Sequence, residues 1–259
     1  MWGPEYGSQT TDGDWWFLDA AKLRIAHYSA DGTYLDDIPM PADLLVSGQY
    51  FQYQMPQALD DGTVVVSGHG QKLIRISAAG VTGVSVAGSI PWVTTDGAFL
   101  YGFRPEGNAM VRLDPDDTVI EPVEWFTARN GNRYRVTVDG DEILVELPDA
   151  PTPATRTLQM RFSEEPDVIA FAGIEVETGS DGTMFILFYG APESNEQLGV
   201  GGFLTISPEG VVGEMERVTN PFTPSDPGSP AHLGVTPGTS TPWLMVVDVD
   251  GVRVYTRTK

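Results

Sequence analysis

Ser29-Ala30-Asp31-Gly32 is a tight-turn sequence, and variants of it return at three later places in the chain. Each copy follows a run that alternates apolar and polar residues and precedes another short apolar run. A supersecondary unit repeated along a chain stacks against its copies to bury their apolar faces, so the repeat predicts the fold but leaves the function open. The later copies are Ser77-Ala78-Ala79-Gly80, Asp114-Pro115-Asp116-Asp117 and Ser207-Pro208-Glu209-Gly210.

A second series of glycine turns gives the period of the repeat. These turns end at Gly13, Gly62, Gly97, Gly140, Gly182 and Gly238, with a mean spacing of 45 residues. A period of roughly 40–50 residues that holds four strands is typical of a β-propeller blade. We therefore predict a single domain over residues 1–259, folded as an all-β, six-bladed β-propeller with four-stranded blades. The predicted blades are residues 4–40, 55–88, 90–126, 134–171, 172–218 and 232–259.

The strand pattern leaves little room for helices. Short runs rich in β-branched and aromatic residues dominate, such as Trp15-Trp16-Phe17-Leu18 and Met184-Phe185-Ile186-Leu187-Phe188. Only Pro41–Gln49 has an arguable helical pattern. The last blade is predicted to have three strands from residues 232–258, so that a fourth would come from residues 1–3 or from outside this chain. In the fourth blade, Thr157–Phe162 is predicted to be the third strand.

Composition excludes several classes of function. Cysteine is absent, which excludes disulfides, thiolate catalysis and cysteine metal sites. The formal net charge of −21 argues against a nucleic-acid partner, because binding a phosphate backbone requires a basic face. No apolar run is long enough to span a bilayer and no signal peptide is visible in the chain, so we expect no membrane insertion.

The first blade resembles the six-bladed NHL-type repeats of bacterial extracytoplasmic proteins. The resemblance implies a propeller fold, favours an extracytoplasmic or secreted location, and supports a binding role, because many such repeats are interaction modules without catalysis. We also expect a monomer without a cofactor. It covers about forty residues and fades to a pattern of turns and strands in the later blades. The matching residues are Gly3-Pro4, Asp12-Gly13, Phe17-Leu18-Asp19, Leu23-Arg24-Ile25, Tyr28, Asp31-Gly32 and Ile38-Pro39-Met40-Pro41.

Five long segments are predicted to emerge on one face of the propeller. Long loops on a rigid scaffold commonly carry binding residues, so this long-loop face is the predicted site for a protein, peptide or glycan partner. The segments are Pro41–Gln54, Thr127–Arg133, Pro148–Thr155, Ala191–Val200 and Thr219–Ala231. The candidate binding residues are Tyr50, Gln52, Tyr53, His69, Arg129, Asn130, Asn132, Asn195, Phe222 and His232.

Two alternatives to a binding module remain open. His69 and His232 are candidates for the mouth of the central tunnel, where a general base or a metal ligand would lie. Six-bladed sugar-ester and lactone hydrolases hold a tunnel cation through a Glu, Asn and Asp, and Glu5 lies near the corresponding place in this chain. A metal-dependent hydrolase with calcium held by Glu5 is therefore one alternative. A structural module of a larger surface protein is the other.

Overall fold

Nearly all regular structure in the described parts of the chain is β-structure. The residues that the computed structural model describes form 23 strands and no α-helix. Pro41–Gln49, the one segment with an arguable helical pattern, lies outside the described residues. The described residues are 6–19, 22, 24–39, 56–59, 62–68, 72–77, 80–85, 93–95, 99–104, 109–113, 119–139, 142–152, 154–159, 168–192, 200–219, 232–248 and 251–257.

The chain divides into two compact units, Met1–Glu124 and Trp125–Lys259. The first unit contains three four-stranded antiparallel sheets, in which each strand pairs with its neighbours along the chain. Sheet 1 is β1 (Tyr6–Gln9), β2 (Trp15–Asp19), β3 (Arg24–Tyr28) and β4 (Tyr34–Pro39); sheet 2 is β5 (Gln57–Ala58), β6 (Val64–Gly68), β7 (Lys72–Ser77) and β8 (Gly80–Ser85); sheet 3 is β9 (Val93–Thr95), β10 (Leu100–Arg104), β11 (Ala109–Leu113) and β12 (Val119–Pro122).

The described residues of the second unit form two four-stranded sheets and one three-stranded sheet of the same kind. The three strands predicted within residues 232–258 are confirmed, and the origin of any fourth strand stays a prediction. Sheet 4 is β13 (Phe126–Thr127), β14 (Arg133–Asp139), β15 (Glu142–Leu147) and β16 (Ala154–Gln159); sheet 5 is β17 (Val168–Thr178), β18 (Met184–Pro192), β19 (Val200–Ile206) and β20 (Glu216–Thr219); sheet 6 is β21 (His232–Val235), β22 (Pro242–Asp248) and β23 (Gly251–Thr256).

The prediction for the fourth blade is wrong by one strand, because the strand that was predicted as its first is its second. Its first turn is closed at Gly131 rather than Gly140, by hydrogen bonds of 2.7 Å from Gly131 N to Ala128 O and from Ala128 N to Asn132 O. The sheet therefore begins at Phe126 instead of residue 134, and the strand predicted as its third, Thr157–Phe162, is represented by β16, the fourth. Asn-Gly and Asp-Gly pairs both favour hairpins, so turn sequences alone do not tell a first turn from a second one.

Apolar side chains from neighbouring sheets of the same unit pack together between them. In the first unit, Leu18 and Ile25 of sheet 1 pack with Val64, Val66 and Ile74 of sheet 2. In the second unit, residues of sheets 4 and 5 form a cluster that contains the fully buried Phe188. Strand alternation sends successive side chains to opposite faces, so the middle sheet of each unit, sheet 2 or sheet 5, supplies apolar residues to both of its neighbours.

Candidate functional site

The antiparallel order of the strands gives every sheet two different ends. The first and third turns of a sheet lie at one end, here called the turn end. The second connection and the link to the next sheet lie at the other, here called the connection end. The segments between Pro39 and Gln57, between Pro192 and Val200, and between Thr219 and His232 all belong to connection ends.

Two of the five long segments were assigned to the wrong end. Thr127–Arg133 joins β13 to β14, and Pro148–Thr155 joins β15 to β16, so both belong to the turn end of sheet 4. The cause is the one-strand error in the fourth blade. When the strands of an antiparallel sheet are counted from the wrong first strand, the turn end and the connection end are exchanged.

Seven of the predicted site residues lie outside the described residues. Their roles in binding or metal coordination stay predictions. They are Glu5, Tyr50, Gln52, Tyr53, His69, Asn195 and Phe222.

Arg129, Asn130 and Asn132 lie together in the turn between β13 and β14. Asn130 Oδ1 accepts a hydrogen bond from Asn132 N at 3.0 Å, and Asn130 Nδ2 donates to Asp181 O at 3.2 Å. Arg129, which is half-buried, donates its backbone N–H to Thr178 Oγ1 at 3.1 Å. These contacts give the turn a structural role in joining sheets 4 and 5, and a binding role for the three residues stays a prediction.

The same kind of contact joins the first turns of sheets 5 and 6. Ser180 N donates to Thr239 O at 2.9 Å, and Asp181 N donates to Ser240 Oγ at 3.2 Å. Gly182 has a φ of 85°, in the left-handed region that favours glycine, and a Cβ there would lie 1.9 Å from Asn130 Nδ2. The turn ends of sheets 4, 5 and 6 are therefore linked to one another by hydrogen bonds.

A cavity of about 20 Å³ lies beside the β13–β14 turn. Its lining includes Asn132, Tyr134, Thr178, Met184 and Pro208. This volume is enough for about one water molecule and is too small for an organic substrate.

Arg133 and Asp149 form an ion pair at this end of sheet 4. Arg133 Nε and Nη2 donate to the two carboxylate oxygens at 2.9 and 2.7 Å, and Arg133 N donates to Oδ2 at 2.8 Å. The side-chain hydrogen bonds from Arg133, followed by the backbone one, lower the pKa of Asp149 to about 2. This carboxyl therefore stays ionised in the folded protein at pH values where it would be protonated in the unfolded chain.

We expect Asp149→Asn to lower Tm at neutral pH and to lose this effect in acid. Because the folded-state pKa lies below the ordinary value of 3.8, the stabilisation is fully present above about pH 4 and is lost as the pH falls through about 2. Differential scanning calorimetry of both proteins between pH 7 and 2 should show two Tm curves that converge below pH 4. Arg133→Gln, which removes the same pair, should behave alike; parallel curves would contradict the prediction.

His232 is paired with a carboxylate of the neighbouring sheet. It begins β21 and is 7% exposed, and its Nδ1 lies 3.0 Å from Glu175 Oε1. Glu175 is on β17, the first strand of sheet 5, and its Oε2 accepts the Leu233 N–H at 2.6 Å. A carboxylate that orients a histidine is an arrangement used for general acid–base chemistry, and it also serves to hold two strands together.

A second histidine cluster lies on sheet 1 and was not predicted as a site. His27 Nδ1 lies 3.0 Å from Asp36 Oδ1, and His27 Nε2 lies 3.0 Å from Asp14 Oδ2. The Trp16 ring stacks on the imidazole, with centroids 4.0 Å apart and planes 5° apart. Only the imidazolium form donates to both carboxylates, and both ring nitrogens are then engaged. The sequence signal is weak, because it consists of three separate residues that strand register brings together.

No group of three or more His, Asp or Glu side chains in the described parts of the chain is arranged to hold a metal ion. Among the described residues there is also no helix with the length and apolar character needed to cross a membrane.

The chain belongs to the family described as "Domain of unknown function (DUF7485)", whose model matches residues 1–257. No curated protein matches the chain in sequence. The NHL resemblance of the first blade therefore stays a prediction.

Solved structures with a similar fold cover nearly all of the chain. Virginiamycin B lyase from Staphylococcus aureus matches with a TM-score of 0.51 and 13% identity, over 98% of this chain and 84% of the lyase. A streptogramin B lyase matches with a TM-score of 0.52 and 11% identity, over 97% and 78% of the two chains. A luciferin-regenerating enzyme matches with a TM-score of 0.51 and 11% identity, over 100% and 92%. These are β-propeller proteins, so the likeness confirms the predicted fold class. At these identities it shows the fold alone.

Proposed function

We propose that this chain is a non-catalytic binding propeller that recognises a protein, peptide or glycan partner at the connection ends of its sheets. The observation that carries the proposal is the contrast between the two ends. Turns at the turn end close on themselves, as in the hydrogen bonds from Thr10 N to Asp14 O at 2.9 Å and from Gly179 N to Thr183 O at 2.8 Å. The longest connections, residues 40–56 and 220–231, belong to the other end. Long connections on a rigid scaffold are where binding residues concentrate.

The residue types in these connections suit a binding surface. Tyr50, Gln52 and Tyr53 lie in the first long connection, and Phe222 lies in the last. Aromatic side chains contribute much of the energy of protein interfaces, because they bury a large area with few rotatable bonds. The net charge of −21 favours partners that are neutral or basic.

The test uses Tyr53→Ala and Phe222→Ala. Arrays of peptides and of glycans are first probed with the purified protein, and the best ligand is then titrated by calorimetry. Each variant should weaken binding by about 1–3 kcal/mol and leave Tm nearly unchanged. Val211→Ala is the control, since Val211 is exposed in the β19–β20 turn at the turn end and its replacement should leave the affinity unchanged. Equal affinities for all of these proteins, or no ligand from either array, would contradict the proposal.

A metal-dependent hydrolase is the second candidate, and the Glu175–His232 pair is the observation that favours it. For this candidate function, His232 is proposed as a general base, and Glu5 stays the sequence-based prediction for a calcium ligand. A screen of lactones and esters with added calcium tests it. Turnover that is lost on chelation and in Glu5→Gln would replace the binding proposal with this one. If neither binding nor turnover is found, the chain is a structural module.

A further inference from the structure

Asn130 and Gly131 form a sequence pair that can modify itself. Among the asparagines of the sequence, Asn130 alone is followed by a glycine. In an Asn-Gly pair the backbone nitrogen of the glycine can attack the side-chain carbonyl carbon of the asparagine, because glycine has no Cβ to shield that nitrogen. Asparagine is for this reason one of the thermolabile residues of proteins. The β13–β14 turn therefore contains two groups that can react with each other.

The folded turn holds both reacting groups in other contacts. Gly131 N donates a hydrogen bond to Ala128 O at 2.7 Å. The side-chain amide of Asn130 is held at both of its polar atoms, since Oδ1 accepts from Asn132 N at 3.0 Å and Nδ2 donates to Asp181 O at 3.2 Å. The attack requires Gly131 N to leave its acceptor and to approach Asn130 Cγ. These hydrogen bonds therefore oppose the reaction until the turn opens.

The turn lies where opening can stay local. Asn130 and Gly131 are both exposed, and a Cβ built on Gly131 would meet no heavy atom of the described residues within 4 Å. The strand that precedes the turn, β13, has only two residues, Phe126 and Thr127, and each pairs with one residue of β14. Exposed turns beside short strands open more readily than the buried part of a sheet. Opening of this turn alone is enough to free both reacting groups.

The product of the reaction cannot restore the contact with sheet 5. Deamidation replaces the Asn130 Nδ2 donor with an oxygen, which cannot donate to the carbonyl of Asp181. The amide group lies close over Gly182, since a Cβ at Gly182 would be 2.5 Å from Asn130 Cγ. A carboxylate in the same space would meet the Asp181 carbonyl oxygen without a hydrogen between them, which is unfavourable. The modified side chain therefore has to leave this place.

We propose that Asn130 is a site of spontaneous deamidation that is closed while the β13–β14 turn contacts sheet 5, and that its modification keeps this contact open. Gly131 N forms a bond to Asn130 Cγ and gives its proton to the side-chain nitrogen, which leaves as ammonia. Water then opens the five-membered ring at either carbonyl, and aspartate or isoaspartate remains at position 130. Since the reaction needs an open turn, the modified fraction records how often the turn has opened.

The first experiment compares the full chain with a capped peptide of residues 127–133 in mildly alkaline buffer, by proteolytic mapping and mass spectrometry. The peptide has no folded turn, so Asn130 should be modified about tenfold more slowly in the chain, or more slowly still. Asn132, which precedes Arg133, is the internal control and should stay unmodified in both samples.

A variant tests whether the fold closes the site. Thr178→Val removes the hydroxyl that accepts the Arg129 N–H at 3.1 Å, so it should loosen the turn and raise the rate at Asn130 severalfold. Thr95→Val is the matched control, because Thr95 Oγ1 makes a similar bond to Phe99 O, at 2.7 Å, beside the first turn of sheet 3. This control should leave the rate at Asn130 unchanged.

The effect of the modification is measured on Asn130→Asp, which carries one of the two products. Hydrogen exchange of the Gly131 amide should be about fivefold faster in this variant than in the wild type, as expected for the loss of one hydrogen bond. Exchange of the Ile186 amide, in the buried β18, should not change. Equal rates of modification in chain and peptide would overturn the proposal, as would an unmodified Asn130 in Thr178→Val or an unchanged Gly131 exchange in Asn130→Asp.

Discussion

Replacing Phe188 with alanine is expected to lower the free energy of unfolding by about 3–5 kcal/mol. The Phe188 side chain is fully buried in the cluster between sheets 4 and 5. Its ring lies over Gly202, where a Cβ would be only 1.9 Å from the ring. Because Gly202 has no side chain to move into the space, the cavity left by Phe188→Ala collapses poorly. Urea unfolding followed by tryptophan fluorescence and circular dichroism measures the loss.

The control for this prediction is Val138→Ala, since Val138 is 39% exposed. It should change the free energy of unfolding by no more than about 0.5 kcal/mol. A loss below about 1 kcal/mol for Phe188→Ala would mean that the ring does not fill this part of the core.

Glu175→Ala is expected to lower the free energy of unfolding by about 3 kcal/mol. Its carboxylate accepts hydrogen bonds from the backbone of Leu233 and from His232, and both of these partners are buried. Without it, two buried polar groups at the start of β21 lose their acceptor, and the attachment of sheet 6 to sheet 5 is weakened. Thermal and urea unfolding of the variant measure the effect.

Glu175→Gln separates the structural role of this carboxylate from a catalytic one. Its amide oxygen can still accept the Leu233 N–H, so we expect a loss of only about 1 kcal/mol. If the pair performs acid–base chemistry, this well-folded variant should lose turnover in the lactone and ester screen. A loss as large as that of Glu175→Ala would show instead that the charge, rather than the hydrogen bond to Leu233, stabilises the pair.

The regular hairpins of the chain were predictable because their determinants are local. Ser29–Gly32 and Ser207–Gly210 form the turns that their sequences predict, and the alternating apolar runs beside them form strands. The strands of the fourth sheet were counted from the wrong first strand because Asn130-Gly131 and Asp139-Gly140 are both good turn sequences. The choice between them depends on the packing of whole strands, which the local sequence does not contain.

The two histidine sites show the same limit. His232 could be proposed from its place at the start of a strand, but its partner Glu175 is 57 residues away and is supplied by another sheet. Asp14, His27 and Asp36 come together only through the register of three strands, and that register shifts between His27 and Tyr28. A one-residue change in either pairing would place these side chains on opposite faces.

The sequence by itself determined the fold class, because the repeated turns and the alternation of apolar residues specify strands that stack as similar units. It also determined the charge of the molecule and the absence of cysteine chemistry. Only the tertiary structure decided which turns share an end of a sheet, which carboxylate meets which histidine, and why Gly202 lies beneath the Phe188 ring. Those relations depend on distances between residues far apart in the chain, which are set by strand register and by the packing of one sheet on the next.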